Sequence, residues 1–248
     1  MDVRAALGRG IAGHYGVREH HRDVQGGAAR AAVFGISDGL LTNVSLILGV
    51  AGAAAAQGSF VRLAGLAGLV AGAFSMAAGE FVSMSAQKEL LEHELEVERR
   101  ELVRHPEAET RELTATFEAR GLEPADAKRI AESIMRDPDV ALEVHAREEL
   151  GVRPGKTGSP VQAAASSFIS FGIGALIPLL PWFFSSGGVA VIVSVVLGAI
   201  SALAIGWTVA VFTGRSRPRS ALRQLLIAVV AAAVTFGVGT AVGAHAAT

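Results

Sequence analysis

Residues 63–105 read LAGLAGLVAGAFSMAAGEFVSMSAQKELLEHELEVERRELVRH, and this stretch decides the fold. In its first half, residues 63–84, the only charged residue is Glu80, and about 20 mostly apolar residues are enough to cross a membrane as a helix. Its second half is rich in glutamate and contains no helix-breaking residue before Pro106. The stretch therefore predicts a spanning helix that continues without a break into a polar module outside the membrane.

Four more segments are long and apolar enough to span a membrane: 31–56, 161–184, 189–213 and 221–244. The whole chain is 51% hydrophobic and only 18% charged, against about 25% charged residues in an average globular chain. The sequence predicts an all-α membrane protein with five transmembrane helices and a helical module between the second and the third. The expected parts are an N-terminal segment 1–30, spans at 31–86, the module 87–160 with a linker from 153, and spans at 161–248.

The basic residues predict the orientation of the chain. With five spans, 21 of the 22 Lys and Arg residues fall on one side, in the N-terminal segment, the module and the loop 213–223, and only Arg62 falls on the other. Loops rich in Lys and Arg stay in the cytoplasm, so we expect these three parts to be cytoplasmic and the C-terminus to lie outside. Residues 1–30 contain five arginines and no apolar run, which argues against a signal peptide.

Several classes of protein are disfavoured by what the sequence lacks. There is no cysteine, which excludes disulfides, thiolate metal sites and a thiol nucleophile. The module contains no Glu-x-x-His motif of the ferritin-like di-iron oxidases, and neither a phosphate-binding loop nor a Ser/His/Asp set is recognisable. Scarce aromatics and an acidic module argue against nucleic-acid binding. We therefore expect no enzyme and no prosthetic group.

Two carboxylates, Asp38 and Glu80, lie inside predicted spans, where they are costly and usually functional. Met76 precedes Glu80 by one helical turn, and Met84 follows by one, so the three share a face. Together with Asp38 they could ligate a divalent ion such as Fe(II) or Mn(II). The alternatives are that Glu80 marks the membrane surface, that Asp38 makes a structural hydrogen bond and that Met76 is a packing residue.

Small-residue spacings predict close helix contacts. Gly35-x-x-x-Gly39 brackets Asp38, and Gly68-x-x-x-Gly72 lies in the second span. Five helices enclose a polar path poorly, so we expect a symmetric dimer with the first span near the two-fold axis.

The module is a second candidate for binding cations. It carries twelve basic and eighteen acidic residues, a net charge of −6, and nine of its glutamates fall in residues 89–112. Prolines and glycines predict helices over 106–120, from 124, and from 138 to about 151. Three helices could converge on one or more cations, whereas the alternative is a solvated charged surface balanced by arginines. The residues that share helix faces are Glu94, Glu98 and Glu101; Glu109 and Glu112; and His145 and Glu149.

Four motifs carry a family resemblance. RAAVFGISDGLLTNVSLILGVAG (30–52), AGAFSMAAGEFVSMSAQKE, GALIPLLPW and FTGRSRPRSALRQ resemble the vacuolar iron transporter family of Fe(II)/Mn(II) exporters, and the likeness extends from about residue 20 to 243. The resemblance implies a homodimer of five-span subunits that exchanges a divalent ion for protons and carries the metal out of the cytoplasm. It also implies a cytosolic, glutamate-rich metal-binding domain between spans two and three.

The family's site residues map onto this sequence motif by motif. The resemblance implies a transport path with Asp38, Met76 and Glu80, and a cytosolic site with Glu98, Glu101, Glu109, Glu112 and Glu149. His145 and Ala146 stand where some relatives have two methionines, which puts metal preference in doubt. The implied substrate is Fe²⁺, with Mn²⁺, Zn²⁺ and Co²⁺ as alternatives, and the implied partners are protons, the lipid bilayer and a second copy.

Two other functions stay open on the sequence alone. One is a membrane-anchored iron sensor or storage protein that conducts nothing, and the other is a membrane-bound ferroxidase. The Ala-, Gly- and Arg-rich composition suggests a bacterium, and hence its plasma membrane.

Overall fold

The computed structural model of the chain describes residues 27–53, 57–152 and 158–246. Within these ranges the chain is helical, with no strand. The expected N-terminal segment lies almost wholly outside the described residues, as does most of the expected linker 153–160. The helices are α1 Gly27–Ala53, α2 Gly58–Arg104, α3 Pro106–Ala119, α4 Pro124–Ile134, α5 Pro138–Glu148, α6 Pro160–Leu179, α7 Pro181–Phe184, α8 Gly187–Thr213 and α9 Arg217–Ala246.

Five of these helices, α1, α2, α6, α8 and α9, are long and apolar enough to cross a membrane, which confirms the predicted fold class. Helix α2 has 47 residues, or about 70 Å at 1.5 Å per residue, whereas the hydrocarbon core of a bilayer is about 30 Å thick. Its glutamate-rich end must therefore project from the bundle. We call residues 87–104 the α2 extension, and the end of the bundle from which it projects the module end.

Helix α1 is the centre of the bundle and contacts the other four long helices. Its closest neighbour is α6, because glycines remove the side chains between the two backbones. A Cβ atom on Gly39 would collide with the Phe171 carbonyl oxygen, and one on Gly174 with the Ile36 carbonyl oxygen. The close contact expected at Gly35-x-x-x-Gly39 is thus present, and its partner is α6 of the same chain.

The prolines near residue 180 divide the predicted third span. The sequence predicts one segment over 161–184, but α6 ends at Leu179 and the four-residue helix α7 follows. Pro181 has no N–H to continue the helical hydrogen bonds. The Ser194 hydroxyl on α8 donates to the Pro178 carbonyl at 2.7 Å, and buried Asn43 donates to the Ala175 carbonyl at 2.6 Å. Side chains of neighbouring helices therefore bind two carbonyls around the break.

The predicted ends of the other helices need two small corrections. Helix α9 begins at Arg217, four residues before the predicted 221, so three of the loop's four arginines are helical. Arg62, expected in a loop, lies in α2, and its guanidinium donates to the Trp182 carbonyl at 3.0 Å.

The module consists of the α2 extension and the helices α3, α4 and α5. Proline stands at the first position of each of the three short helices, where its missing N–H costs no hydrogen bond. Gly121, with φ +93°, and Gly151, with φ +67°, follow α3 and α5 in the left-handed region. The predicted helix boundaries are therefore confirmed to within a few residues. An ion pair between Arg120 and Glu148 holds the end of α3 against α5.

Candidate metal centre

A buried histidine lies at the centre of the module. The His145 side chain is fully buried, and its Nδ1 atom lies 3.0 Å from Glu149 Oε1, 3.1 Å from Glu98 Oε1 and 3.6 Å from Glu109 Oε2. One donor atom from each of these four residues lies within 4.8 Å of the other three. We call Glu98, Glu109, His145 and Glu149 the histidine cluster.

Three helices supply the cluster, and local sequence explains how they meet. Glu98 lies on the α2 extension, which ends at Arg104 with the His105 N–H bonded to the Glu101 carbonyl at 2.8 Å. Pro106 then starts α3 in a new direction, and its first turn returns Glu109 to the cluster. His145 and Glu149 are one turn apart at the end of α5, so they face the same way.

Burial raises the pKa of two carboxylates of the cluster, Glu98 and Glu109. Burial, followed by the charge of Glu149, raises the pKa of Glu98 to about 7, although His145 opposes the shift. Burial also raises the pKa of Glu109, again against the effect of His145. Three partly buried carboxylates thus compete for whatever positive charge occupies the space between them, either a proton on His145 or a cation.

The geometry and the donor atoms suit a divalent ion. Two ligand atoms on opposite sides of an ion, each with a bond of about 2.1 Å, are about 4.2 Å apart. The four donor atoms lie within 4.8 Å of one another, so they need to move together by only a few tenths of an ångström. Carboxylate oxygens with one imidazole nitrogen suit Fe(II), Mn(II) and Zn(II). His145 Nε2 is buried without a hydrogen-bond partner among the described residues. The cluster is therefore chemically able to hold a divalent cation.

The structure does not bring the other two predicted module glutamates into the cluster. Glu101 lies 3.8 Å from His105 Nε2, and Glu112 is exposed on α3. Both act through charge, because the negative charges of Glu101 and Glu112 raise the pKa of Glu109 further. They extend the negative surface around the cluster.

The three predicted path residues lie at successive depths of the bundle. Glu80 forms an ion pair with Arg30, with Oε1 and Nη2 2.6 Å apart, at the module end. Met76 lies one turn, or about 6 Å, farther from that end, and Asp38 is eight residues past Arg30, or about 12 Å. Asp38 is exposed on the single chain and accepts a hydrogen bond from Thr42.

The two methionines of the second span have packing contacts. Met76 packs against the buried Phe171 on α6, and Met84 is buried against Ala31 and Ala163. Met84 therefore packs α2 against α1 and α6.

Sequence reasoning missed three partners of these residues. The sequence indicated for Arg30 only a role in the orientation of the chain in the membrane. Arg30 also forms an ion pair with Glu80, fifty residues farther along the sequence. Gln224 on α9 donates to Ser37, the neighbour of Asp38, at 2.5 Å. Arg120 pairs with Glu148 beside the histidine cluster. No local spacing signals such contacts between distant elements, although the shared membrane depth of Arg30 and Glu80 could have suggested the first.

The chain was compared with known proteins. Residues 29–240 match the family model described as the VIT family. A vacuolar iron transporter of Acanthamoeba castellanii is 37% identical and covers 89% of this chain and 82% of its own length. Vacuolar iron transporter 1 of Oryza sativa subsp. japonica is 31% identical over 90% of each chain, and its namesake in Eucalyptus grandis is 31% identical over 88% of this chain and 87% of its own. The chain therefore belongs to the VIT family.

Proposed function

We propose that this protein is a proton-coupled transporter that moves Fe²⁺, and Mn²⁺ as a second substrate, out of the cytoplasm. The observation that carries the proposal is the histidine cluster, in which three carboxylates surround a buried imidazole. One of the carboxylates lies on the same helix as Met76 and Glu80. The relatives named as iron transporters support iron as the cargo. The domains follow the sequence division: spans at 31–86 and 161–248, with a metal-collecting module at 87–160.

The proposed orientation places the module, the N-terminal segment and the α8–α9 connection in the cytoplasm. Twenty-one of the 22 Lys and Arg residues then lie on the cytoplasmic side, as positive loops favour. The C-terminus lies outside, and the plasma membrane of a bacterium is the proposed location, on composition alone.

In the proposed path, the ion moves from the module to successive ligands in the membrane. It is collected at the histidine cluster, passes to Glu80 and Met76 near the module end, and then reaches Asp38. When no metal is bound at Glu80, Arg30 forms an ion pair with it, so the entering ion has to displace the guanidinium. Within the membrane, Glu80, Met76 and Asp38 follow one another at intervals of about 6 Å in depth, which is short enough for transfer between neighbouring ligands.

Protons would drive the transport by competing for the same carboxylates. A carboxylate must lose its proton to bind a metal, so protonation of Asp38 from outside would release the ion. Deprotonation toward the cytoplasm would reset the site. Such an exchange needs no nucleotide.

A second copy would complete the path. Phe34, Asp38 and Thr42 lie one turn apart on α1 and are exposed on the single chain, so a carboxylate would face lipid unless another surface covers it. We propose that α1 of a second copy covers this face in a homodimer.

Flux through sealed proteoliposomes tests the proposed function. Wild-type protein should carry Fe²⁺ under anaerobic conditions at a rate that depends on an imposed pH gradient. Asp38→Asn removes the charge at nearly constant size and should abolish the flux, whereas Asp139→Asn, on the exposed surface of the module, should leave it unchanged. Flux that ignores the pH gradient would contradict the proton coupling.

The competing function is an iron sensor or storage protein, which the histidine cluster alone would also serve. Tight metal binding by folded protein with no flux of any divalent ion would favour that function.

A further inference from the structure

A basic cavity lies between the end of α8 and the start of α9, at the module end of the bundle. Its volume is about 780 Å³. Arg215, Arg219 and Arg223 line it together with Ser216 and Ser220. The proposed transport path uses none of these residues.

The three arginines that line the cavity are not paired with acidic side chains of the described residues. The sequence contains no acidic residue after Glu149, and none of the three arginines forms an ion pair within the part of the chain that the structure describes. Guanidinium groups that share a cavity repel one another, and a bound anion would remove that repulsion.

A role in membrane topology alone does not explain the convergence of these arginines. Positive loops need only be on the cytoplasmic side and need not face one cavity. Arg217, in the same connection, shows the contrast, because its guanidinium carbon lies 5.8 Å from the centre of the Trp207 ring instead. Three of the four arginines in this connection line the same cavity, which indicates a ligand that they share.

Two further features of the cavity favour an anion. The cavity lies beside the first turn of α9, a helix of 30 residues, where the helix dipole favours negative charge and disfavours the arginines themselves. Ser220 lines the cavity, and the residue is only 7% exposed. A serine hydroxyl on a cavity wall can donate a hydrogen bond to a bound anion.

We propose that this cavity binds a phosphate group, held by Arg215, Arg219 and Arg223 with a hydrogen bond from Ser220. Arginine forms paired hydrogen bonds with phosphate oxygens, and basic pockets at the cytoplasmic ends of spanning helices are typical sites for phosphorylated lipid headgroups. The same chemistry would suit a soluble phosphate compound. The proposal does not depend on the proposed transport function.

Binding measurements on the full-length protein test the site and separate its two sources of phosphate. Delipidated protein in detergent is titrated with phosphatidic acid, with diacylglycerol as the control that lacks the phosphate, and separately with inorganic pyrophosphate. The variants are Arg219→Gln/Arg223→Gln and Ser220→Ala, and the matched control is Arg217→Gln, which removes one positive charge of the same connection outside the cavity.

Wild-type protein should bind phosphatidic acid or pyrophosphate, and the double variant should bind at least about tenfold more weakly. Ser220→Ala should weaken binding less, and Arg217→Gln should match the wild type. Binding of phosphatidic acid alone identifies a lipid, and binding of pyrophosphate alone identifies a soluble phosphate. Binding of neither, or equal loss in Arg217→Gln, would overturn the proposal and leave the arginines as topological charges. Thermal unfolding in detergent checks that each variant is folded.

Discussion

At the scale of single residues, Arg30 explains how a carboxylate is kept at the membrane boundary. Glu80 has 16% of its side chain exposed, and the guanidinium of Arg30 neutralises it in the absence of a metal. An arginine cannot give up its charge, so on the proposed path it would compete with the entering ion for Glu80. The pair would then limit how tightly Glu80 can bind metal.

We expect Arg30→Gln to tighten binding at the entrance of the path. An ion pair this close to solvent is weak, so the KM for Fe²⁺ flux should fall about two- to fivefold. Arg217→Gln removes the same charge from the same end of the bundle and should leave KM unchanged. A higher KM in Arg30→Gln would show that Arg30 positions Glu80 instead of competing for it.

His145 is the residue on which the module site depends. His145→Gln keeps a polar side chain but removes the imidazole at the centre of three carboxylates, and we expect the Fe²⁺ affinity of the module to fall at least tenfold, roughly the loss typical of metal-site mutations. Calorimetric titration under anaerobic conditions measures it. His93→Gln, on the exposed surface of the same α2 extension, is the matched control. Equal affinity in both variants would exclude His145 as a ligand.

The residue scale also shows how far sequence spacing can group the candidate ligands. Helical spacing places Glu98, Glu109, His145 and Glu149 on shared faces, and the structure brings these four together. Spacing could not separate them from Glu101 and Glu112, since the turn at His105 sets which glutamates of α2 and α3 meet. Pro106 shows in the sequence where this turn lies but not the direction in which α3 leaves it.

At the scale of the elements, the raised pKa of Glu98 makes the stability of the unloaded module depend on pH. The pKa of Glu98 is about 7 in the folded module, against an ordinary value of 4.5 for a solvated glutamate, so the folded state holds the proton more tightly. The contribution of Glu98 to the stability should therefore be present in full below pH 4.5, be lost as the pH rises from 4.5 to about 7, and stay absent above that range. A divalent ion bound to the histidine cluster should prevent this loss of stability.

Hydrogen exchange of the metal-free protein measures this effect in α3 and α5. We expect faster exchange at about pH 8 than at about pH 5.5, after correction for the intrinsic rate. Glu98→Gln, which stays neutral, should reduce the difference, whereas Glu92→Gln, exposed on the same helix, should not. Slower corrected exchange at the higher pH would contradict the sign of the effect.

The close contact between α1 and α6 depends on glycines that leave no room for a side chain. Gly39→Ala would place a methyl group against the Phe171 carbonyl, and neither backbone can move easily. We expect it to lower the free energy of unfolding by about 1–3 kcal/mol, measured by thermal unfolding in detergent. Gly172→Ala, whose Cβ meets no atom within 4 Å, should be neutral.

At the scale of the whole molecule, the sequence predicts the number and order of the helices because apolar length is a local property. The prolines at 178 and 181 mark a disturbance at the end of the third span, but the sequence did not give the residue at which α6 ends, and it placed the start of α9 four residues late. Asp38 illustrates the limit: its position in a span is evident, but no local pattern tells which surface covers it.

Because the chain has no cysteine, single introduced cysteines can test the proposed dimer. Phe34→Cys lies on the exposed α1 face next to Asp38 and should form a disulfide between two copies in the membrane. Val230→Cys, equally exposed on α9, should remain monomeric under the same oxidant. Cross-linking through Val230 alone would place the dimer interface on α9.

The continuity of α2 has a mechanical consequence. Glu80 and Glu98 are 18 residues apart on one unbroken helix, a rigid arm of about 27 Å. A tilt of about 5° at the membrane end would swing the far end by roughly 2 Å, which is close to the length of a metal–ligand bond. On the proposed path, binding of an ion in the module would therefore be coupled mechanically to the position of Glu80 in the membrane.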